Sequence, residues 1–364
     1  MKSPERLLIV SVAILLVIST LEILSSTAPP GCRNGEGFAL FKKHLISIGI
    51  GLVALNLLIR MDYVKLFALS KPLMFVSIFL LLITLFYGGE ARGGAYRWIK
   101  IGWGFTFQPA ELVKLSIVIY TASFLTRKQE ILNNFKEVLL PLLIITLVSA
   151  GLVLFQPDLG TAVVIVGVSI ILWWVGGIST LRILIILVFL VTLGVLFIWI
   201  EPYRRMRILA FWDPWSSPHG YGYQIIQSLL AFGIGGIWGT GLGRGLQKFY
   251  YLPAPYTDFI FSVVGEELGL VGSFLVLTLY GLIGWTSFQI ARKASITFGK
   301  LLGMGITFLM LLQAFINLGG VTNFIPCTGM PLPFLSYGGS SMLVNMSCVG
   351  ILLSISRRED KIER

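Results

Sequence analysis

The sequence predicts an all-α polytopic membrane protein with about ten transmembrane helices, and three observations support this class. Apolar residues make up 56% of the 364 residues and charged residues only 12%, roughly half the charged share of a soluble domain. The apolar residues also occur in runs long enough to cross the ~30 Å hydrocarbon layer of a bilayer. Inside that layer a helix satisfies its own backbone hydrogen bonds, which an open strand does not.

Ten apolar runs follow one another along the chain, and a large loop over 201–259 separates the seventh from the eighth. The predicted spans are 7–25, 44–59, 72–87, 109–126, 138–155, 160–176, 181–200, 260–290, 301–319 and 340–356. Lys2 and Arg6 precede the first run as they would in a signal peptide. No A-x-A-like cleavage site follows, so we expect a retained anchor. The whole chain, 1–364, is predicted to form one membrane domain.

The distribution of Lys and Arg predicts the orientation of the chain. If the N-terminus is cytoplasmic, 16 of the 28 Lys and Arg residues fall in cytoplasmic segments, which include the basic C-terminal stretch "RREDKIER". Cytoplasmic loops of membrane proteins carry such an excess. Both termini are therefore predicted to be cytoplasmic, and the 201–259 loop to be extracytoplasmic.

This loop concentrates positive charge at the predicted outer face. Its cations are Arg204, Arg205, Arg207, Arg244 and Lys248. An Arg side chain can bind two phosphate oxygens at once, so we expect an anionic ligand here. Pairing of these cations with anionic lipid headgroups is the open alternative.

Composition and motifs exclude several chemistries. With two histidines, no zinc-type cysteine spacing and no G-x-S-x-G, the chain lacks the signals of a multi-histidine metal centre or a serine nucleophile. The glycines between 233 and 245 fit neither G-x-G-x-x-G nor the P-loop pattern, so nucleotide binding is unsupported. No nucleic-acid partner is predicted. Cys32 and Cys327 fall on the predicted outer side, where we favour unpaired thiols.

The chemistry that remains is that of carboxylates in apolar surroundings. Asp258 lies between aromatic residues, and Glu266 and Glu267 lie inside the eighth run. A carboxylate is costly in hydrocarbon, so each of these should have a partner or a function. We expect at least one of the two glutamates to pair with a cation from another span.

Three more polar residues lie within or beside spans. Glu111 and Lys114 are three residues apart and therefore share a helix face, as an internal ion pair or as functional groups. Asp158 lies at the break between spans five and six, where helix capping is favoured slightly over a functional role.

Five motifs in chain order resemble one family. They are "RWIKIG…QPAELVK", "FQPDLGT", "DPW…GYGYQIIQSL", "LP…TDFIFSVVGEELGLVG" and "GMPLPFLSYGGSS". Together they resemble the SEDS proteins (shape, elongation, division and sporulation), the group of RodA and FtsW, over nearly the whole chain. "DPW" followed by "GYQIIQSL" is more similar to FtsW or its sporulation relative than to RodA.

The resemblance implies a ten-span peptidoglycan glycosyltransferase that polymerises lipid II at the outer face of the cytoplasmic membrane, in division and at the septum. It makes Asp258, in "TDF", the catalytic residue. It matches Arg97, Glu111, Lys114 and Asp158 to other motif positions, which we predict to bind substrate. It also implies a class B penicillin-binding protein and other divisome or elongasome proteins as partners.

One departure from the family pattern lies next to Asp258. The family commonly has Leu-Pro-Glu, one residue, and then His-Thr-Asp, whereas Ala254 and Tyr256 replace the glutamate and the histidine here. Tyr256 cannot act as an imidazole would, although its hydroxyl can donate a hydrogen bond. Asp258 itself is kept.

The predicted reaction is attack of a GlcNAc 4-hydroxyl on MurNAc C1, which expels the lipid pyrophosphate. Asp258 is expected to act as the general base. Arg204, Arg205, Arg207 and Lys248 are expected to stabilise the leaving pyrophosphate. No cofactor is evident from the sequence, and a divalent cation (Mg²⁺ or Mn²⁺) held by the phosphates stays open.

Three other functions stay open. The first is a lipid II flippase, because polar residues within spans and a glycine-broken loop are also transporter features. The second is a RodA-like polymerase for cell elongation. The third is a non-enzymatic scaffold, which would leave Asp258 and the outer cations without a task.

Overall fold

The computed structural model describes residues 3–27, 36–86, 90–92, 95–102, 105–200 and 202–362, and nearly all of them are helical or in turns. The fourteen α-helices of these ranges are α1 Ser3–Thr27, α2 Glu36–Arg60, α3 Lys65–Phe86, α4 Pro109–Arg127, α5 Leu140–Phe155, α6 Leu159–Val175, α7 Thr180–Ile200, α8 Pro202–Trp212, α9 Tyr223–Gly235, α10 Gln247–Tyr250, α11 Ile260–Glu267, α12 Gly269–Lys293, α13 Thr297–Val321 and α14 Gly339–Ile362. A π-helical turn, Phe135–Leu139, leads into α5.

Nine helices in the described ranges are long and apolar enough to cross a membrane: α1, α2, α3, α4, α5 with its π turn, α7, α12, α13 and α14. The remaining predicted span, 160–176, corresponds to α6, which has 17 residues and is therefore about 26 Å long. The predicted all-α polytopic fold is thus confirmed. In length and composition the chain is a multi-pass membrane protein.

The eighth predicted span, 260–290, is wrong as a single helix, because the chain breaks between α11 and α12. Gly269 has φ +66°, and a Cβ there would lie 2.4 Å from the Gly239 nitrogen. Only glycine fits such a left-handed, crowded position without strain. Glu266 and Glu267 therefore end the short helix α11 and do not lie inside the long helix α12.

A small antiparallel sheet, for which the sequence made no prediction, lies between α3 and α4. Its strands are β1 Glu90–Arg92, β2 Ala95–Gly102 and β3 Phe105–Phe107, in the order β1-β2-β3. The central strand, "AYRWIKIG", is rich in aromatic and β-branched residues, which favour strands. Strand β2 carries Arg97.

The segment between α7 and α12 is folded onto the helices, not extended as a tether. Thr240 N donates to the Glu266 carbonyl at 2.9 Å and Gly241 N to the Glu267 carbonyl at 3.0 Å. A Cβ on Gly239 would lie 2.1 Å from the Glu267 carbonyl oxygen. The backbone of the glycine-rich stretch after α9 therefore packs directly against the backbone of α11.

Helix α13 lies at the centre of the bundle, where it contacts α4, α6, α12 and α14. Most of its side chains are buried, whereas α7 is largely exposed along an apolar surface that suits lipid. The polar residues of α13 thus face other protein elements, which becomes important at the site.

Candidate active site

Asp258 lies in the turn before α11, and neighbouring segments hold its main chain in place. Asn317 Nδ2, from α13, donates to the Asp258 carbonyl at 2.8 Å. Ser336 Oγ donates to the Thr257 carbonyl at 2.6 Å. Tyr337 N donates to the Tyr256 carbonyl at 2.8 Å. Three consecutive carbonyls of the "YTDF" turn are therefore held, that of Asp258 by α13 and those of Thr257 and Tyr256 by the "GMPLPFLSY" segment.

The carboxylate of Asp258 faces a narrow wall formed by the turn after α13. A Cβ on Gly329, whose φ is +71°, would lie 3.3 Å from Asp258 Oδ2. Asp258, Asn317, Cys327 and Gly329 line a small, narrow cavity here. Within the described part of the chain, no hydrogen bond engages the Asp258 carboxylate, so its oxygens are available to a ligand.

The electrostatic surroundings of Asp258 favour proton uptake. Burial raises the pKa of its carboxyl to about 6, and the negative charge of Asp158 adds to that rise. The positive charges of Arg207 and Arg97 oppose it. A carboxyl with a pKa near 6 is deprotonated at neutral pH and still accepts a proton more readily than an ordinary aspartate.

Asp158 is buried and caps α6, as the sequence predicted. It accepts hydrogen bonds from Thr161 N at 3.1 Å, Thr161 Oγ1 at 3.0 Å and Gln108 Nε2 at 3.2 Å. The same carboxylate acts on Asp258 through its charge. Capping and a place beside Asp258 are therefore combined in one residue.

Arg97 braces the turn that carries Asp158. Its Nε donates to the Gln156 carbonyl at 2.6 Å, and one of its terminal nitrogens donates to the Pro157 carbonyl. Strand β2 of the sheet thus places the Arg97 guanidinium at the α5–α6 turn. Its positive charge also lowers the pKa of Asp258.

Arg207, on α8, reaches the turn after α13 from the other side. Its Nη1 lies 3.4 Å from the Cys327 carbonyl, and burial raises the pKa of the Cys327 thiol. Arg207 and Cys327 also line a larger cavity of about 260 Å³, together with His219, Tyr221, Tyr223, Gln224 and Pro253. Cys327 lines both cavities, so they adjoin.

The other predicted cations of this segment differ in their surroundings. Arg205 is exposed on α8. Arg204 belongs to the same helix, and its side chain lies outside the described residues, as does Cys32. Cys327 is a free thiol.

Lys248 lies in a buried ionic cluster at the far end of α11. Its ammonium pairs with Glu267 and donates to Ser25 of α1, with all the charged groups fully buried. Glu267 also accepts from the Gly243 and Gly245 nitrogens, at 3.0 and 3.2 Å. The expectation that a glutamate pairs with a cation is confirmed, but the cation comes from the loop and not from another span.

Glu111 and Lys114 form the predicted ion pair, with Lys114 Nζ 2.8 Å from Glu111 Oε1 and both side chains 2% exposed. Lys114 Nζ also donates to Gln313 Oε1 at 2.8 Å. Gln313 Nε2 in turn donates to the Pro331 carbonyl at 3.0 Å. The pair is thereby connected to the segment that contacts Asp258.

Sequence reasoning missed Gln313 and Asn317 as site residues. Both are amides within an apolar span, one helical turn apart, and polar residues in spans are a signal of function. The sequence indicates no role for the motif "GMPLPFLSYGGSS", which supplies the wall opposite Asp258. Within the described ranges, no three His, Cys, Asp or Glu side chains are grouped so as to hold a metal ion.

Comparison with known proteins places these features in a family. Residues 5–361 match the model of a cell cycle protein family, that of FtsW, RodA and SpoVE. Stage V sporulation protein E of Bacillus subtilis is 39% identical over 361 residues, which cover 98% of this chain and 97% of the relative. The probable peptidoglycan glycosyltransferase FtsW of Geobacter metallireducens is 40% identical over 324 residues, or 89% and 86% of the two chains.

A solved structure agrees with the sequence relatives. A chain from a peptidoglycan synthase complex, in which polymerization and crosslinking are structurally coordinated, superposes with a TM-score of 0.80. The two chains are 31% identical, and the match covers 97% of each. Since the family model and the relatives cover nearly the whole chain, this protein belongs to the FtsW, RodA and SpoVE family, as its five motifs predicted.

Proposed function

We propose that this protein is a peptidoglycan glycosyltransferase that polymerises lipid II, with Asp258 as the general base. The observation that carries the proposal is the Asp258 carboxyl itself. It has a fixed main chain, free oxygens and a raised pKa, and Arg207 and Arg97 lie close enough to act on its charge. A relative that is 40% identical is named a probable peptidoglycan glycosyltransferase, which supports the same class of reaction.

In the proposed reaction the GlcNAc 4-hydroxyl oxygen attacks MurNAc C1. Its proton passes to the Asp258 carboxylate as the new C1–O bond forms. The bond between C1 and the pyrophosphate oxygen breaks, and that oxygen keeps the bonding electrons. The pKa near 6 leaves Asp258 charged and ready at neutral pH, whereas an unperturbed carboxylate would be a weaker base.

The leaving pyrophosphate requires positive charge at the site. We assign this role to Arg207, which lines the larger cavity and lies beside Cys327, a residue that lines both cavities, and keep Arg204 and Arg205 of the same helix as further candidates. Arg97 and Asp158 set the electrostatic surroundings of Asp258. A Mg²⁺ or Mn²⁺ ion would have to be held mainly by the substrate phosphates.

Glu111, Lys114 and Lys248 were also predicted to bind substrate. Each of these three is buried and ion-paired, which supports a structural contribution. Substrate contact by them would require the pairs to open, at a cost that buried charges make high.

The setting of the reaction is also proposed. We infer cytoplasmic termini, an extracytoplasmic Asp258, and a class B penicillin-binding protein as partner at the division septum. Lipid II and other divisome or elongasome proteins complete the inferred partners. The solved synthase complex supports a partnership between polymerization and crosslinking.

The test is polymerisation of purified lipid II by the protein reconstituted with its transpeptidase. Asp258→Asn should abolish glycan formation while the protein stays folded and assembled. Asp213→Asn is the matched control, because Asp213 is an exposed capping residue in the same segment and Asn caps equally well.

Two results would overturn the proposal. Equal product from the wild type and the Asp258→Asn variant would remove Asp258 as the base. No product from either, with lipid II crossing the bilayer, would favour a flippase. Activity only with an elongation-type transpeptidase would reassign the protein to cell elongation.

A further inference from the structure

We propose that Asn317 is a positioning residue for the reaction, because its amide fixes the main chain of Asp258 against the opposite wall of the site. This inference rests on the proposed function. It assigns to a residue of a membrane-spanning helix a role that no motif indicated.

The geometry of the Asn317 amide is specific. Its Nδ2 donates to the Asp258 carbonyl at 2.8 Å and to the Met330 carbonyl at 2.5 Å. An amide nitrogen has two hydrogens, so both bonds form at once. The two acceptors also fix the orientation of the amide. If Oδ1 of Asn317 lay where Nδ2 lies, it would be repelled by both carbonyl oxygens. The residue is 4% exposed, and its amide is therefore shielded from competing water.

The helix that carries Asn317 is a rigid support. α13 lies at the centre of the bundle, and Gln313, one turn earlier, donates to the Pro331 carbonyl at 3.0 Å. Two amides on one helix face thus hold two consecutive residues, Met330 and Pro331. Gly329, which precedes them, is the residue whose Cα faces Asp258 Oδ2.

Asn317 acts on Asp258 through the backbone and does not contact its carboxylate. The Asn317 amide joins two segments by hydrogen bonds. One is the turn before α11, 59 residues earlier in the chain, and the other is the turn after α13, 13 residues later. Without this bridge, the backbone hydrogen bonds that join this turn to other segments, among the described residues, would be those at the Thr257 and Tyr256 carbonyls. A displacement of about 1 Å in a catalytic group can lower a rate by ~10²-fold.

The test compares Asn317→Ala with Asn345→Ala in reconstituted enzyme with its transpeptidase. Asn345 is a matched control, since it is equally buried and its amide donates within its own helix, to Ser341 Oγ at 3.1 Å. Rates are divided by the amount of folded protein, measured by size-exclusion chromatography. We expect Asn317→Ala to lower kcat for lipid II polymerisation by about 30-fold or more, with KM changed by less than about 3-fold. Asn345→Ala should stay within about 3-fold of the wild type.

The pH profile provides a readout that a merely structural role would not move. Asp258 is faced by Asp158 of the α6 cap, Arg97 of β2, Arg207 of α8 and the Cys327 thiol. Substitution of Asn317 leaves these groups in place but lets water reach the loosened turn. Because burial is the main cause of the raised pKa of Asp258, the acid limb of the kcat profile should move to lower pH.

If Asn317→Ala yields too little folded protein, Asn317→Leu keeps the approximate size and shape of the side chain, removes the two donors without adding a charge, and should show the same loss. An unchanged acid limb, or a normal kcat for the folded fraction, would overturn the proposal. The two proposals fail separately. An active Asp258→Asn variant defeats the base assignment, whereas an inactive Asp258→Asn beside a normal Asn317→Ala defeats only the role of Asn317.

Discussion

The two ends of α11 carry carboxylates in opposite conditions. Glu267, at its C-terminal end, is fully buried and saturated by Lys248, Ser25 and two backbone nitrogens. Asp258, just before its N-terminal end, has a fixed main chain, while its carboxylate forms no hydrogen bond within the described residues. Because the Glu267 carboxylate has all these partners, it acts as a structural anchor. An unsatisfied carboxylate on a fixed backbone is what proton transfer requires.

The same comparison explains the position of the charges. At Glu267 the cation is in direct contact, and the pair closes the glycine-rich segment onto α11 and α1. At Asp258 the cations Arg97 and Arg207 act through space while they donate to backbone carbonyls. A directly paired Asp258 would hold its proton poorly, since an adjacent cation lowers the pKa of a carboxyl.

The largest effect is expected from loss of the buried cation. Lys248→Met would leave Glu267 fully buried without its partner, and breaking a buried pair costs about 3–5 kcal/mol. The midpoint of thermal unfolding in detergent should fall sharply. Lys128→Met is the control, because its pair with Glu137 at 3.1 Å is 37% and 53% exposed and such pairs contribute at most ~1 kcal/mol. Equal midpoints for both variants would contradict the anchor role.

A smaller effect is expected from Gly329→Ala. The left-handed backbone costs about 1–2 kcal/mol for a residue with a Cβ, and the new methyl would lie 3.3 Å from Asp258 Oδ2. We expect polymerisation by the folded protein to fall by about tenfold. Gly243→Ala is the matched control, with φ +80° and no atom within 4 Å of its Cβ. It should lose similar stability but keep its rate. A shared loss of rate would refute a specific contact with Asp258.

The smallest effects are opposite shifts of the pH profile. A general base must be deprotonated, so activity should fall as the pH drops through about 6. Arg207→Gln should lower the rate at every pH, because the leaving pyrophosphate loses its cation, and it also removes a positive charge that lowers the pKa of Asp258, which should move the acid limb to higher pH. Asp158→Asn removes a negative charge that raises it, and should move the limb to lower pH. Polymerisation rates between pH 5 and about 8 measure both. Shifts in the same direction would contradict this electrostatic account.

The helices could be predicted because each depends on local sequence. Apolar runs of sufficient length predicted the nine membrane-length helices of the described residues, and the resemblance of the "TDF" motif pointed to Asp258, whose role as the base stays a prediction. The break at Gly269 could not be predicted, because it arises from contact with the distant Gly239. The apolar pattern continues through the break without interruption.

The surroundings of Asp258 were the less predictable part for a similar reason. Lys248 lies in the same basic loop as Arg207, and composition alone could not separate a buried partner of Glu267 from a cation beside Asp258. Asn317 donates to a carbonyl 59 residues away, and no spacing rule indicates such a contact. Pairing partners are set by tertiary packing, which a single sequence does not record.

The most direct measurement compares Asp258→Asn with Glu267→Gln in lipid II polymerisation and in thermal unfolding. We expect Asp258→Asn to unfold near the wild-type temperature and to lose about 10²-fold or more in rate. Glu267→Gln should unfold at a lower temperature, while its folded fraction stays active. A folded Asp258→Asn variant that polymerises lipid II at the wild-type rate would contradict the central claim.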